Sequence, residues 1–352
     1  MKVFVIGGTG FISSGVVDSL LTDGHSVTTF TRGVSMPTLN APANLIRCFG
    51  DRRDADALRS AVDKKDYDVV YDFVAYDAVD SRLSIDVFAD RTERFVHCST
   101  VSVYMVSDEV ACPITEDQNE RPLMAYWPRN PFGMDYGLGK RDCEAVLWKA
   151  HEERRFAVTM LRPTYVSGPA DPARRDWFWI QRILDGGPLV IPGCGDHPFQ
   201  QVFVDDVVRA FVSVLNCRES VGKAYNVASE EIYSLNDYLS RLSRLLDRTP
   251  ERVHIDQEVF DRLSFSSSAE GDVFPFNVRR TAVFSLSRSI DELGYRSTPF
   301  ESWMSRTIDW YVGQGKPSVG YAFRDREIVA ARLWRGGRAE SVQNFLQRVE
   351  GA

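Results

Sequence analysis

The stretch DYGLGKRDCEAV sets Tyr136 and Lys140 four residues apart at the start of an amphipathic segment, so both side chains project from one helix face. A phenol ionises near pH ~10 and is a poor base at neutrality; an ammonium beside it favours the phenolate and can also reach sugar hydroxyls. The pair therefore suits proton transfer to or from an alcohol. Near the start of the chain, VFVIGGTGFI reads as a buried strand, a glycine turn and a helix, with Gly7, Gly8, Thr9, Gly10, Phe11 and Ile12 forming the turn. Glycines in that context let backbone N–H groups and the helix N-terminus face a pyrophosphate, so the expected ligand is a nicotinamide dinucleotide, NAD(P). Ser13 stands where the usual spacing has a third glycine, and Gly15 follows two positions later. Ser13 is small enough to let the helix pack on the sheet with a modest shift.

Two further positions bear on the cofactor. The second strand candidate ends TTFTRG, so Thr31 and Arg32 occupy the place where an acidic residue would hold the adenosine ribose hydroxyls. An arginine there can pair with a 2′-phosphate instead, which leans toward NADP over NAD; the alternative is a solvated surface charge. In FGDRRD, Asp51 is placed to accept a hydrogen bond from the adenine amino group, or to cap the next helix.

The elements that must position these residues alternate through about residue 165. KVFVIG, HSVTTF, LIRCFG, YDVVYDFVAY, RFVHCSTVSVY and AVTMLRPTYV are strand candidates, and SGVVDSLLTDG, DADALRSAVDKK and GKRDCEAVLWKAHEERR carry helical apolar spacing. Strand and helix in alternation imply an α/β fold, a Rossmann-type doubly wound parallel sheet. After residue 168 the texture becomes loop-rich with one aromatic helix, and QVFVDDVV and KAYNVAS read as strands returning to the sheet. The expected organisation is a dinucleotide-binding domain over 1–168 that also receives strands from about 200–228. A smaller interleaved substrate-binding lobe covers 169–312, and an Arg-rich extension of unassigned role, breaking at Gly336 and Gly337, covers 313–352.

Composition removes several classes. A formal charge of -7 and a pI near 5.4 argue against a protein that neutralises nucleic-acid phosphates. No apolar run is long enough for a bilayer, and a strand candidate starting at Lys2 leaves no room for a signal peptide, so a cytoplasmic location is expected. The six cysteines (Cys48, Cys98, Cys112, Cys143, Cys194 and Cys217) form no CxxC pair and have no His at metal spacing, so reduced thiols and no metal are expected.

Taken together, GGTGFIS, GDRRD, CSTVSVY, YGLGK, LRPTYVSGP, VFVDDVV and DELGY resemble the extended short-chain dehydrogenase/reductase family of nucleotide-sugar epimerases and dehydratases, over roughly residues 1–312. The resemblance implies Thr100 as the catalytic Ser/Thr, Tyr136 as the acid/base and Lys140 as the ribose-binding lysine. The alternative for Thr100 is a buried strand-end hydroxyl bonded to backbone. Sugar 4,6-dehydratases follow the Thr with an Asp-Glu pair, where this chain has Val101 and Ser102, and decarboxylating relatives have a Glu at the second of these places. What remains is NAD(P)-dependent oxidation of a secondary alcohol, reduction of a ketone, or both in turn as an epimerase. The expected substrate is a sugar-like or nucleotide-sugar-like small molecule, although Phe199 and Gln200 stand where relatives that bind a nucleotide diphosphate carry an Arg. Arg174 and Arg175 are alternative cations; Trp177 and Trp179 are candidate pocket walls of which at least one belongs to the core. The resemblance also implies a homodimer through the Tyr/Lys helix and its neighbour. The rival readings are a ketoreductase of a non-sugar metabolite, a cofactor sensor without turnover, and an RNA binder, because FTRG, GDRRD and YDFVAYD are similar to a branch that includes chloroplast stem-loop RNA-binding proteins.

Overall fold

The computed structural model describes residues 1–34, 42–62, 66–262, 274–318 and 320–335, with 342 and 344; Gly336, Gly337 and Phe345 lie outside the described residues. In chain order the first half contains β1 (Lys2–Ile6), α1 (Ser13–Thr22), β2 (Ser26–Thr31), β3 (Leu45–Phe49), α2 (Ala55–Val62), β4 (Tyr67–Asp72), α3 (Ala78–Phe88), β5 (Thr92–Cys98), α4 (Ser102–Met105), α5 (Met134–Glu152), β6 (Ala157–Pro163) and β7 (Tyr165–Ser167). The second half contains α6 (Arg175–Leu184), β8 (Leu189–Pro192), β9 (Gln201–Phe203), α7 (Val204–Ser213), β10 (Lys223–Val227), α8 (Leu235–Leu245), β11 (Arg252–Ile255), α9 (Gln257–Arg262), α10 (Ser287–Leu293), α11 (Phe300–Gln314) and α12 (Arg324–Arg335).

Seven strands form one parallel sheet in the order β10-β6-β5-β4-β1-β2-β3. The Rossmann-type doubly wound fold is thus present, and the order reverses between β1 and β4, where such sheets bind ligands at their carboxyl ends. Strand residues alternate between two cores because successive side chains leave opposite faces. Val3, Val5, Val69, Val96 and Cys98 pack with Val16 and Leu20 of α1 and Val207 and Phe211 of α7. Phe4, Ile6, Val70 and Phe95 pack with Leu58, Phe88 and Leu147 of α2, α3 and α5. Each fully buried side chain of this size contributes about 1.5–3 kcal/mol.

Three segments differ from their sequence expectation. VFVDDVV is not one strand: after Phe203 it coils into α7, because Val204, Val207, Val208 and Phe211 recur at helical spacing and all lie buried. The short β9 before it pairs with β7 instead of joining the large sheet; β10 alone brings the later chain back to it. The run RFVHCSTVSVY ends as a strand at Cys98 and turns into α4, and α3, which lacks a strong apolar stripe, went unrecognised in the sequence. Asp77 starts α3 by accepting from the backbone N–H groups of Val79 and Asp80.

The chain divides into two compact units: Met1–Val166 with Gln201–Glu230 and Phe284–Ser297, and Ser167–Gln200 with Glu231–Val283 and Thr298–Ala352. In the second unit Trp177 and Trp179 are both buried, Trp177 stacked on Tyr311 and Trp179 edge-on to Phe178 and Phe274, so both belong to an aromatic core. The C-terminal α12 packs on the two-stranded β11-β8 sheet of this unit. Buried Arg182 pairs with Glu327, and Arg324 bonds both Glu327 and Asp185.

Candidate active site

The first unit carries the candidate cofactor and catalytic residues at the carboxyl ends of β1, β2, β3 and β5 and at the start of α5. At the glycine turn, Gly7 and Gly8 have φ of +108° and +111°, which L side chains rarely adopt. A Cβ on Gly8 would lie 2.8 Å from Thr29 Cγ2, so the turn presses against β2. No side chain caps α1 at Ile12. In its first turn Ser14 N–H donates to Gly10 O at 3.0 Å, so what α1 offers an anion above the turn is the positive end of its helix dipole. Ser13 does more than fill the place of a glycine: its buried hydroxyl accepts from the N–H of Gly8 at 3.1 Å and of Gly10 at 3.0 Å, which ties the turn to the helix. Close helix packing belongs to Gly15, where a Cβ would sit 2.8 Å from Val208 Cγ2 of α7. The cradle therefore fits a dinucleotide pyrophosphate despite the missing third glycine.

At the ends of β2 and β3, Thr31 Oγ1 accepts from Gly33 N at 3.3 Å and Arg32 is exposed. Asp51 is exposed and accepts from Arg53 N at 2.8 Å, while the cap of α2 is Asp54, which receives Asp56 N and Ala57 N. The two arginines between them were not singled out in the sequence, and they hold the neighbouring loop. Arg52 forks onto Asp72 at 3.0 and 2.9 Å and reaches Ser84, and Arg53 bonds Asp80 at 2.9 Å and Asp77 at 2.6 Å. Asp72 closes β4, and Asp80 accepts from Tyr76 N at 2.8 Å, so this acidic and basic set fixes the loop after β4.

Tyr136 and Lys140 lie in the first two turns of α5. Gly137 and Gly139 between them let the helix approach two loops: added Cβ atoms would meet Ser102 O at 2.6 Å and Tyr76 O at 2.3 Å. Lys140 is 1% exposed and donates to Cys98 O at 2.8 Å. Among the described residues no carboxylate pairs with it; its Nζ lies 5.9 Å from the ring centre of Tyr136 and 5.2 Å from that of Tyr76. Tyr136 is 41% exposed. Thr100 is 7% exposed, accepts from Ser102 N at 3.2 Å and donates to Ser102 Oγ at 3.2 Å. Ser102 in turn donates to Phe132 O at 2.8 Å. The hydroxyl of Thr100 thus has both a local structural tie and a place beside the carbonyl-bearing strand end that receives Lys140.

Beneath them lies a buried pair the sequence reading missed. Glu144, one turn beyond Lys140, forks with Arg162 of β6 at 2.8 and 2.6 Å, and Ser99 donates to the same carboxylate at 2.5 Å. Ser99 sits between Cys98 and Thr100, so the pair clamps α5 to the strand end that carries the site. The signal was legible as the 136, 140, 144 spacing on one helix face. Burial pushes the Cys98 thiol up to about 11, against the pull of Lys140. Burial, then the charges of Lys140, Arg52 and Arg162, hold the His97 ring well below its ordinary range. Among the described residues no group of three or more His, Cys, Asp or Glu is arranged to hold a metal ion, and no helix is long and apolar enough to cross a membrane.

The sequence model of the NAD dependent epimerase/dehydratase family matches residues 3–90 and 85–228. Among curated proteins the chain is 25% identical over 272 residues to a chloroplast stem-loop binding protein of Arabidopsis thaliana, covering 74% of this chain and 67% of that protein. It is 24% identical over 338 residues to the 2'-dehydrokanamycin reductase of Streptomyces kanamyceticus, covering 95% and 91%. The chain spans 29% of the length of trifunctional UDP-glucose-modifying enzymes of Arabidopsis thaliana that it also matches. Its fold is similar to UDP-glucose 4-epimerase of Thermotoga maritima, with a TM-score of 0.69 and 19% identity over 90% of this chain and 100% of that one. UDP-glucuronic acid 4-epimerase of Bacillus cereus, solved with NAD, gives the same TM-score, identity and coverage.

Proposed function

The chain belongs to the NAD-dependent epimerase/dehydratase family, and from that premise we propose that it acts on a secondary alcohol or ketone of a sugar-like or nucleotide-sugar-like small molecule, as an epimerase or oxidoreductase. The observation that carries this reading is Lys140: a buried ammonium with one carbonyl acceptor among the described residues, beside a partly exposed tyrosine four residues earlier on the same helix. When bound, the nicotinamide supplies hydride transfer. Tyr136 as phenolate takes the proton of the substrate hydroxyl, or as phenol returns one to the ketone oxygen. Thr100 donates to that same oxygen in place of Ser102 Oγ. Lys140 holds positive charge beneath the phenolate and reaches ribose hydroxyls.

The turn from Gly7 to Ile12, with the first turn of α1, would hold the pyrophosphate; Asp51 would accept from the adenine amino group. Thr31 and Arg32 support NADP over NAD, since no carboxylate stands at the end of β2 for ribose hydroxyls. Val101 and Ser102 lack the acid and base that remove water, which favours redox chemistry over dehydration. The same reading carries a cytoplasmic homodimer joined through α3 and α5. Simple ketone reduction is the second reading, favoured by the end-to-end similarity to 2'-dehydrokanamycin reductase.

Denaturing the purified protein and identifying the released dinucleotide separates the two. An epimerase reuses its own hydride and releases stoichiometric NAD(P), whereas a reductase that exchanges cofactor each cycle comes away empty. Binding of neither NAD nor NADP would remove both. Tyr136→Phe is expected to keep dinucleotide affinity and lose about 10²–10⁴ in turnover; unchanged turnover would defeat the assigned role. RNA binding without any dinucleotide, measured by gel shift, would support the stem-loop-binding alternative instead.

A further inference from the structure

Lys140 poses a physical question that the pair with Tyr136 leaves open. An ammonium removed from water needs compensation, and among the described residues it has one carbonyl and no carboxylate. The remainder comes from two aromatic faces, and the nearer is Tyr76 at 5.2 Å, against 5.9 Å for Tyr136. The rings of Tyr76 and Tyr136 themselves stand 6.4 Å apart and tilted by 50°.

Tyr76 is held there from its backbone. Its N–H donates to Asp80, which Arg53 secures, and its carbonyl lies against Gly139, where even a methyl would come within 2.3 Å. Its ring is nevertheless 54% exposed, an unusual state for a rigidly placed aromatic side chain at the carboxyl edge of a sheet. We infer that Tyr76 is a positioning residue whose ring, opposite Tyr136, walls the Lys140 ammonium off from water and so sets the acidity of Tyr136. The inference rests on Tyr136 being the acid/base of the proposed function. With water excluded, the Lys140 charge acts on Tyr136 through a less polarisable medium and favours its phenolate more strongly. Partial burial raises the Tyr76 phenol above its ordinary range, against the pull of Lys140. The other titratable groups around the rings are Asp72 and Cys98 at the strand ends, which oppose ionisation of Tyr76, Asp80 below its N–H, and Asp135, which accepts from Tyr126.

The test is a spectrophotometric titration of tyrosinate on the full chain, with no substrate added. Subtracting the curve of Tyr136→Phe isolates the Tyr136 step in three backgrounds: unaltered, Tyr76→Phe and Tyr76→Leu. Tyr76→Phe keeps the ring and is expected to leave the step in place. Tyr76→Leu is expected to move it upward by about one pH unit, a roughly tenfold loss of phenolate at a given pH. A step that stays put in Tyr76→Leu, or that moves equally in both variants, overturns the inference. Since the readout needs neither substrate nor turnover, a chain that shows this shift yet binds no dinucleotide would refute the proposed function and leave the ring's role standing.

Discussion

At His97 the fold buries an imidazole completely, on the sheet face toward α3 and α5, and among the described residues neither ring nitrogen has a hydrogen-bond partner. Burial and the nearby cations Lys140, Arg52 and Arg162 disfavour its protonation, so the folded ring stays neutral well below its ordinary value of 6.5. In the unfolded chain it binds a proton near that value. Below pH 6.5 the unfolded state therefore holds more protons, and stability present above 6.5 is lost as the pH falls. Urea unfolding between pH 6.5 and about 5 should show midpoints that fall with pH, with the unfolding free energy dropping by up to about 1.4 kcal/mol per pH unit, and His97→Leu should flatten that slope. A wild-type midpoint constant over this window would show that the ring protonates freely in the folded state. The same neighbourhood explains why the reactive residues were easier to find than their supports. Tyr136 and Lys140 announce themselves by spacing within one helix, whereas Glu144, Arg162 and Tyr76 matter only for what the fold brings against them.

Helix α1 follows the glycine turn proposed to hold the cofactor, and its seat is set on two sides. Ser13 ties the turn by accepting from Gly8 and Gly10, and Gly15 lets α1 lie against Val208 of α7. Gly15→Ala places a methyl 2.8 Å from Val208 Cγ2 and should destabilise by about 1–3 kcal/mol, the usual range for overpacking. Adding Val208→Ala should recover part of that loss, since the two positions share one contact; strictly additive losses in a thermal or denaturant cycle would show that the steric account is wrong. The sequence points to Ser13 for the packing of α1 on the sheet, and Ser13 is buried. The contact of α1 with α7 is a separate one made at Gly15, and it is hidden in the sequence because VFVDDVV, which forms the start of α7, reads as a strand.

On the scale of the molecule, α12, the described helix of the Arg-rich C-terminal segment, is built into the second unit. Arg182 of α6 is buried against Glu327 of α12, and Arg324 links Glu327 to Asp185. Glu327→Ala would leave Arg182 buried without its carboxylate, at a cost of about 3–5 kcal/mol. The measurable outcome is a lower unfolding temperature with dinucleotide binding by the first unit retained at temperatures where the protein stays folded. An unfolding temperature equal to the wild type would mean that α12 contributes nothing to the unit.

By itself the sequence determined the alternation of strands and helices, the parallel sheet that follows from it, the glycine turn and the Tyr136/Lys140 pair. Each of these is written in local periodicity or spacing, which backbone geometry converts directly into structure. Only the tertiary structure decided that the buried Lys140 lies near the rings of both Tyr76 and Tyr136, that Arg52 and Arg53 brace the loop after β4, and that Gly15 admits helix α7. Those facts depend on contacts between residues tens of positions apart, and no local pattern encodes a contact whose two halves meet only when the chain has folded.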